Sequence, residues 1–294
     1  MVDVTQYVAE RTARVDAILD RLLPSESTAP TRLHQAMRYS VFSAGKRLRP
    51  VLCLAAAEAI GGDTEPALIP AAAVEILHTY TLIHDDLPAM DDDALRRGRA
   101  TCHIAFDEAT AILAGDALLT LSFEWLTQTR CAPPHSAIDL VRELAAASGS
   151  TGVIGGQMAD IEGETTPLTI EQLVYIHTHK TGDLIRAAVR LGAMTAGATD
   201  VQLAALTAYA EHIGLAFQIA DDVLNATGTA EQLGKAAGTD AALGKMTYVA
   251  AYGVEGAREK AAALITRAKA ALAKLPGNTK PLAALADYVV TRRK

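Results

Sequence analysis

Aromatic residues make up only 4% of this 294-residue chain, and β-branched residues are sparse beside alanine and leucine. No stretch alternates apolar and polar residues for the length of a useful strand, so the composition points to helix. Cysteine is scarce too. Cys53, Cys102 and Cys131 have no metal-ligand spacing and cannot all pair, which reads as reduced thiols in a cytoplasmic protein. There is no low-complexity linker and no shift of composition, so one domain over residues 1–294 is expected. Met1 to Glu10 carries charge and lacks the apolar centre of a signal peptide. The longest candidate for a membrane span, residues 66–84, contains Pro70, Glu75 and His78, so a buried helix is expected there and no stable membrane insertion. A net charge of −7 argues against nucleic acid as a partner.

Half of the residues are apolar, enough for a sizeable core, and they recur at helical spacing nearly everywhere. Val4, Tyr7, Val8, Val15, Ile18, Leu19 and Leu22 form a first stripe, ended by Pro24. Helices are expected next at 31–43, at 50–60 with Pro50 in the first turn, and at 66–86 up to Pro88. Further helices are expected near 104–128, 136–162, 170–195, 200–225, 246–272 and 279–291. The punctuation between them is Pro133-Pro134, Gly163 with Pro167, Gly197, Gly228 and Pro276-Gly277. The expected fold is all-α, a single large bundle of about ten helices.

Against this apolar background, five aspartates fall within nine residues, Asp85, Asp86, Asp91, Asp92 and Asp93, and Asp221-Asp222 forms a second pair. Most charge runs are solvated loops. Here the first pair ends a strongly apolar stretch, and the second interrupts an apolar helical pattern. Carboxylates so close together repel, and a hard cation with oxygen ligands relieves them. A helix C-terminus adds its own negative dipole to Asp85 and Asp86, which bound cations would reverse. Pro88 bends the chain so that Asp91 can return toward Asp85. Arg96 and Arg97 follow with planar donors suited to phosphate oxygens. Metals and arginines beside an apolar helix describe a site for a lipid diphosphate. Gln218, Asp221, Asp222 and Asn225 share one helical face.

Leu82-Ile83-His84-Asp85-Asp86-Leu87-Pro88-Ala89-Met90-Asp91-Asp92-Asp93 with Leu95-Arg96-Arg97-Gly98 resembles the first aspartate-rich motif of the trans-isoprenyl diphosphate synthases, or polyprenyl synthetases, and of their bacterial farnesyl and geranylgeranyl members above all. The resemblance extends, in order, through Gly45-Lys46-Arg47-Leu48-Arg49-Pro50, Gly155-Gly156-Gln157-Met158-Ala159-Asp160, His179-Lys180-Thr181-Gly182, Phe217-Gln218-Ile219-Ala220-Asp221-Asp222 and Leu243-Gly244-Lys245. It implies the isoprenoid-synthase bundle around a central cavity, and a cytoplasmic homodimer.

The resemblance also implies roles. Three magnesium ions, with manganese as a substitute, would be held by Asp85, Asp91 and Asp221 with water, and Asp86 and Asp222 would complete the metal set. Lys46, Arg49, His78 and Arg97 would bind the diphosphate of isopentenyl diphosphate. Arg96, Lys180, Lys235 and Lys245 would bind the allylic diphosphate. Thr181 and Gln218 would stand near the developing cation. Asp85, Asp91, Asp221, Arg96, Lys180, Thr181 and Gln218 would be the catalytic set. The family's second motif ends in a third aspartate where this chain has Asn225, which puts the third metal in question. Asn225→Asp is expected to change magnesium dependence more than turnover.

Tyr80 lies five residues before Asp85, about 7–8 Å along a helix axis, and Thr81 lies four before it. An aromatic there, with the inserted Pro88-Ala89, resembles farnesyl diphosphate synthases, so the fifteen-carbon product is expected and Tyr80 is the expected floor of the chain pocket. A geranylgeranyl synthase is the alternative. A class I terpene cyclase and a non-catalytic prenyl synthase subunit are more remote. The first lacks its second metal register here, because four-residue steps from Asp221 reach Asn225 and Thr229. The second would have lost the first acidic motif, which is intact.

Overall fold

The computed structural model describes residues 2–228 and 246–291, and among these it is almost wholly helical. Helix α1 (Val4–Leu22) starts where the Asp3 carboxylate accepts from the amides of Thr5 and Gln6, and it buries Tyr7, Val15, Ile18 and Leu19. Then come α2 (Thr31–Val41), α3 (Leu48–Ile60) and α4 (Leu68–Asp85). A two-residue hairpin, β1 (Leu95–Arg96) and β2 (Arg99–Ala100), leads to the single turn α5 (Cys102–Ala105) and to α6 (Glu108–Thr127). The chain continues through α7 (Ala137–Ser148), α8 (Val153–Thr165), α9 (Ile170–Ile176), α10 (Asp183–Thr195), α11 (Asp200–Thr227), α12 (Tyr248–Ala271) and α13 (Lys280–Thr291).

Helices α3 and α4 lie at the centre. Residues 51–57 and 71–77 are buried on every face, and Glu75 is the one charged side chain among them, so both helices are core elements instead of amphipathic ones. Helix α6 packs along α4, α10 along α3 and α12 along α11. The approach of α10 to α3 is backbone-close, because a Cβ on Gly192 would lie 1.9 Å from the carbonyl oxygen of Cys53. Alanine-rich faces make such packing possible.

Three expected helices are built differently. The 104–128 stretch breaks at Asp107, whose carboxylate accepts from the Thr110 amide at 2.7 Å and starts α6 afresh. The 136–162 stretch divides into α7 and α8 at residues 149–152. Gly152 is pressed so closely on the preceding turn that a Cβ would sit 2.1 Å from the Ala147 carbonyl oxygen. The 170–195 stretch is one rod, but its middle, His177–Gly182, is a π turn. The second helix ends at Val41, earlier than expected. Among the described residues, the one helix long and apolar enough to cross a membrane is α6, not residues 66–84, and α6 covers α4.

Candidate functional site

Helix α4 ends at Asp85, with Asp86 as its C-cap. The Asp91 amide then donates to the Asp85 carbonyl oxygen at 2.9 Å, so the chain after Pro88 returns to the helix end. Burial, reinforced by Asp91 and Asp86 and opposed by Lys180 and Arg96, pushes the Asp85 carboxyl up to about 6. Asp86 is buried and held by Arg96, whose Nε and a terminal nitrogen both lie 2.6 Å from its Oδ1. The Arg96 fork is therefore anchored on the acidic motif. Asp91, Asp92 and Asp93 are exposed.

Arg97 and Gly98 are the two central residues of the hairpin, with φ of 54° and 76°. Both angles are positive, as a type I′ turn requires. The turn brings the Arg97 guanidinium over Gly45, where a Cβ would lie 2.4 Å from one terminal nitrogen. Gly45 thus provides clearance for an arginine. Arg47, Asp92 and Arg97 are the non-glycine residues with positive φ among those described, and all three belong to this region. Clusters of such backbone strain mark functional sites.

Beneath Arg97 lies a cationic nest around Glu75. Arg47 is buried and donates to Glu75 at 2.8 Å, to Asp16 at 2.9 Å and to the Val41 carbonyl oxygen at 2.7 Å. Arg49 is pushed down to about 10 by burial; Arg97 acts in the same sense, and Glu75 and Asp221 oppose it. Its Nε is buried without a partner. His78 is held well below its usual value by burial and then by Arg49, Arg97, Arg96 and Arg47, so it is neutral. Burial likewise lowers Arg97, with Glu75 opposing and Arg47 and Arg96 assisting. An orphaned donor among crowded cations is the electrostatic complement of a polyanion. Lys46 stands exposed at the rim.

The second wall is the π turn. Its wider winding sets Lys180 and Thr181 off the α-helical register, a device common at functional sites. The Lys180 ammonium lies 2.6 Å from Asp160 of α8. Burial lowers its pKa, but Asp160, Asp85 and Asp91 outweigh burial and raise it. Lys180 thus reaches the first acidic motif from the opposite side. Two glycines seat the turn. A Cβ on Gly156 would lie 2.1 Å from the Lys180 amide nitrogen, and one on Gly214 of α11 would lie 3.1 Å from the Gly182 Cα.

On α11, Gln218 and Asp221 are half-buried, whereas Asp222 and Asn225 are buried. Asp222 accepts from the Tyr248 amide at 2.7 Å and so ties the start of α12 to the second motif. Tyr80 is buried, packs edge-on against His84 at 5.0 Å, and has its pKa raised by burial, Asp85 and Asp116. The Thr81 hydroxyl donates to the His78 carbonyl oxygen at 2.8 Å. Lys235 and Lys245 lie outside the described residues. The sequence reading missed Arg47, Glu75 and Asp160 as parts of the site. Glu75 could have been found, since it is the one acidic residue inside a long apolar run.

Among the described residues no three His, Cys, Asp or Glu side chains converge into a ready-made metal cage. The half-buried carboxyl of Asp85, raised by partial burial and then by Asp91 and Asp86, is a donor that a cation would relieve.

Among the described residues an all-α scaffold presents two acidic motifs and two groups of cationic side chains beside apolar helices. The chain belongs to the polyprenyl synthetase family, whose model matches residues 30–278. It is 46% identical to the farnesyl diphosphate synthase of Escherichia coli K12, over 99% of this chain and the whole of the other. It is 44% identical to the geranylgeranyl diphosphate synthase of Cyanophora paradoxa, over 97% of this chain and 95% of the other. The structure resembles an FPP/GFPP synthase of Zymomonas mobilis with a TM-score of 0.87, at 37% identity over 98% and 99% of the two chains. The chain is a short-chain trans-prenyltransferase, and the family uses divalent metal to bind diphosphate.

Proposed function

We propose that this prenyltransferase joins isopentenyl diphosphate to dimethylallyl and geranyl diphosphates and releases mainly farnesyl diphosphate. The observation that carries the product length is Tyr80, buried one and a half turns behind Asp85 on the same helix. The E. coli relative's name supports the same reading. Asp85, Asp91 and Asp221, with Asp86 and Asp222 behind them, would hold magnesium, three ions in all, with manganese able to replace it. When bound, the metal neutralises diphosphate charge.

The chain's own residues account for the remaining steps. Lys180, Arg96 and, outside the described residues, Lys235 and Lys245 bind the allylic diphosphate and stabilise the departing pyrophosphate, so the allylic C–O bond ionises. Arg49, Arg97, His78 and Lys46 hold isopentenyl diphosphate, whose double bond supplies the electron pair for the new C–C bond. A proton then leaves to pyrophosphate and a trans double bond forms. Thr181 and Gln218 stand by the cation, and apolar walls exclude water that would quench it. The enzyme acts as one domain in the cytoplasm, without stable membrane insertion and without nucleic acid. It works as a homodimer, for which the exposed apolar side chains Ile104, Ile112 and Leu113 on α5 and α6 offer a face.

Incubation with isopentenyl and dimethylallyl diphosphates and magnesium, followed by pyrophosphate assay and chromatography, tests the reading. Pyrophosphate with fifteen-carbon alcohols after dephosphorylation is the expected result. A dominant twenty-carbon product would replace the farnesyl assignment by the geranylgeranyl one.

A further inference from the structure

We propose that the cavity between α9, α11 and α12 is a second ligand site, built for an amphiphilic anion and linked to the second acidic motif through Tyr248. The cavity has a volume of about 570 Å³, within the range of small-molecule sites. None of its lining residues belongs to the diphosphate machinery described above. Val174, Leu215, Ile219 and Leu264 supply an apolar wall, and Tyr248 and Tyr252 supply rings with polar tips.

The rim supplies the charge. Lys260, Leu264 and Arg267 follow one another at steps of four and three along α12, so they form a single stripe facing the cavity. The two cations flank the apolar residue. The Lys260 ammonium lies 4.0 Å from the centre of the Tyr252 ring. Among the described residues neither Lys260 nor Arg267 forms an ion pair with a carboxylate, and Glu171 is the one carboxylate of the described lining. A hydrocarbon chain with a phosphate or carboxylate head complements such a groove. Neither a bare anion nor a neutral hydrocarbon satisfies both parts of it.

The same cavity touches the reaction site through one residue. Tyr248 lines it, and its amide donates to Asp222 at 2.7 Å. Its ring stacks on His177, the first residue of the π turn, at 5.8 Å and 18°. Tyr248 therefore contacts both the second acidic motif and the element carrying Lys180 and Thr181. An occupant that shifts the Tyr248 ring shifts these groups as well. This linkage to turnover rests on the prenyl-transfer reading, whereas the binding site itself does not.

Calorimetric titration of the full chain with dodecyl phosphate, below its micellar concentration and without magnesium, tests the site. Lys260→Glu combined with Arg267→Glu is expected to weaken binding at least tenfold while leaving turnover without amphiphile unchanged. Inorganic phosphate and dodecanol are each expected to bind the wild-type chain at least tenfold more weakly than dodecyl phosphate. Equal binding by the double variant overturns the proposal. So does loss of binding in Arg49→Gln, which would place the amphiphile at the diphosphate site. For the linkage, saturating dodecyl phosphate is expected to shift the half-activating magnesium concentration at least twofold in the wild type and not in the double variant. Binding without that shift overturns the linkage.

Discussion

The Arg47 guanidinium donates to the Glu75 carboxylate at 2.8 Å, and both residues are buried. Glu75 is the counter-charge that lets Arg47, Arg49 and Arg97 converge beside neutral His78. Removing one partner from a buried pair leaves the other charge uncompensated, at a cost of about 3–5 kcal/mol. Glu75→Gln is therefore expected to lower the urea midpoint by that equivalent. It should also raise the KM for isopentenyl diphosphate more than that for the allylic substrate. An unchanged midpoint would show that the nest does not depend on Glu75.

Asp85 offers a test with a definite sign. Its folded pKa is raised to about 6, mainly by burial. The folded state therefore binds the proton more tightly than the unfolded state, and ionisation destabilises the metal-free protein as pH rises from about 4 to about 6. Asp85→Asn mimics the protonated form. It is expected to be more stable than wild type at pH 7.5 without metal, by on the order of 1–2 kcal/mol after allowance for screening, and equally stable below pH 4. Thermal melts at the two pH values measure the difference. Turnover should fall by orders of magnitude.

Gly156 is the seat of the π turn. A methyl group there meets the Lys180 amide nitrogen at 2.1 Å, and backbone cannot give way as a flexible side chain does. Gly156→Ala is expected to destabilise the fold by about 1–3 kcal/mol. It should also reduce kcat at least tenfold by moving Lys180 and Thr181. Gly214→Ala, whose nearest contact is 3.1 Å, should have the milder effect on both. The pair of variants, compared by denaturation and by kcat, checks the seating.

Tyr80→Ala removes a buried ring behind Asp85. Chromatography of its products is expected to show chains longer than those of the wild type. No lengthening would remove Tyr80 as the floor of the chain pocket. Loss of the ring from its edge-on contact with His84 should cost about 3–5 kcal/mol of stability, the range for large aromatic truncations.

The acidic motifs were legible in the sequence because carboxylates stand out against an apolar run, and the helical class was legible because apolar spacing persists along the chain. The breaks inside helices were less so. Asp107 and residues 149–152 interrupt the pattern by local capping and close packing, which periodicity does not register. Arg47 was visible in its motif, but that it is buried against Glu75 while Lys46 stays exposed depends on the left-handed turn before α3. Asp160 was likewise visible in its motif, but its pairing with Lys180, twenty residues on and on another element, left no local signal.

By itself the sequence determined the all-helical class, the two acidic motifs and the family, because these rest on residue types and short spacings. Only the tertiary structure decided how the charges are shared. It anchored Arg96 on Asp86, Lys180 on Asp160 and the start of α12 on Asp222, and it gathered three arginines and a neutral histidine around Glu75. Those outcomes depend on burial and on which helices approach at their glycines. Both are properties of the packed chain, and no local pattern carries them.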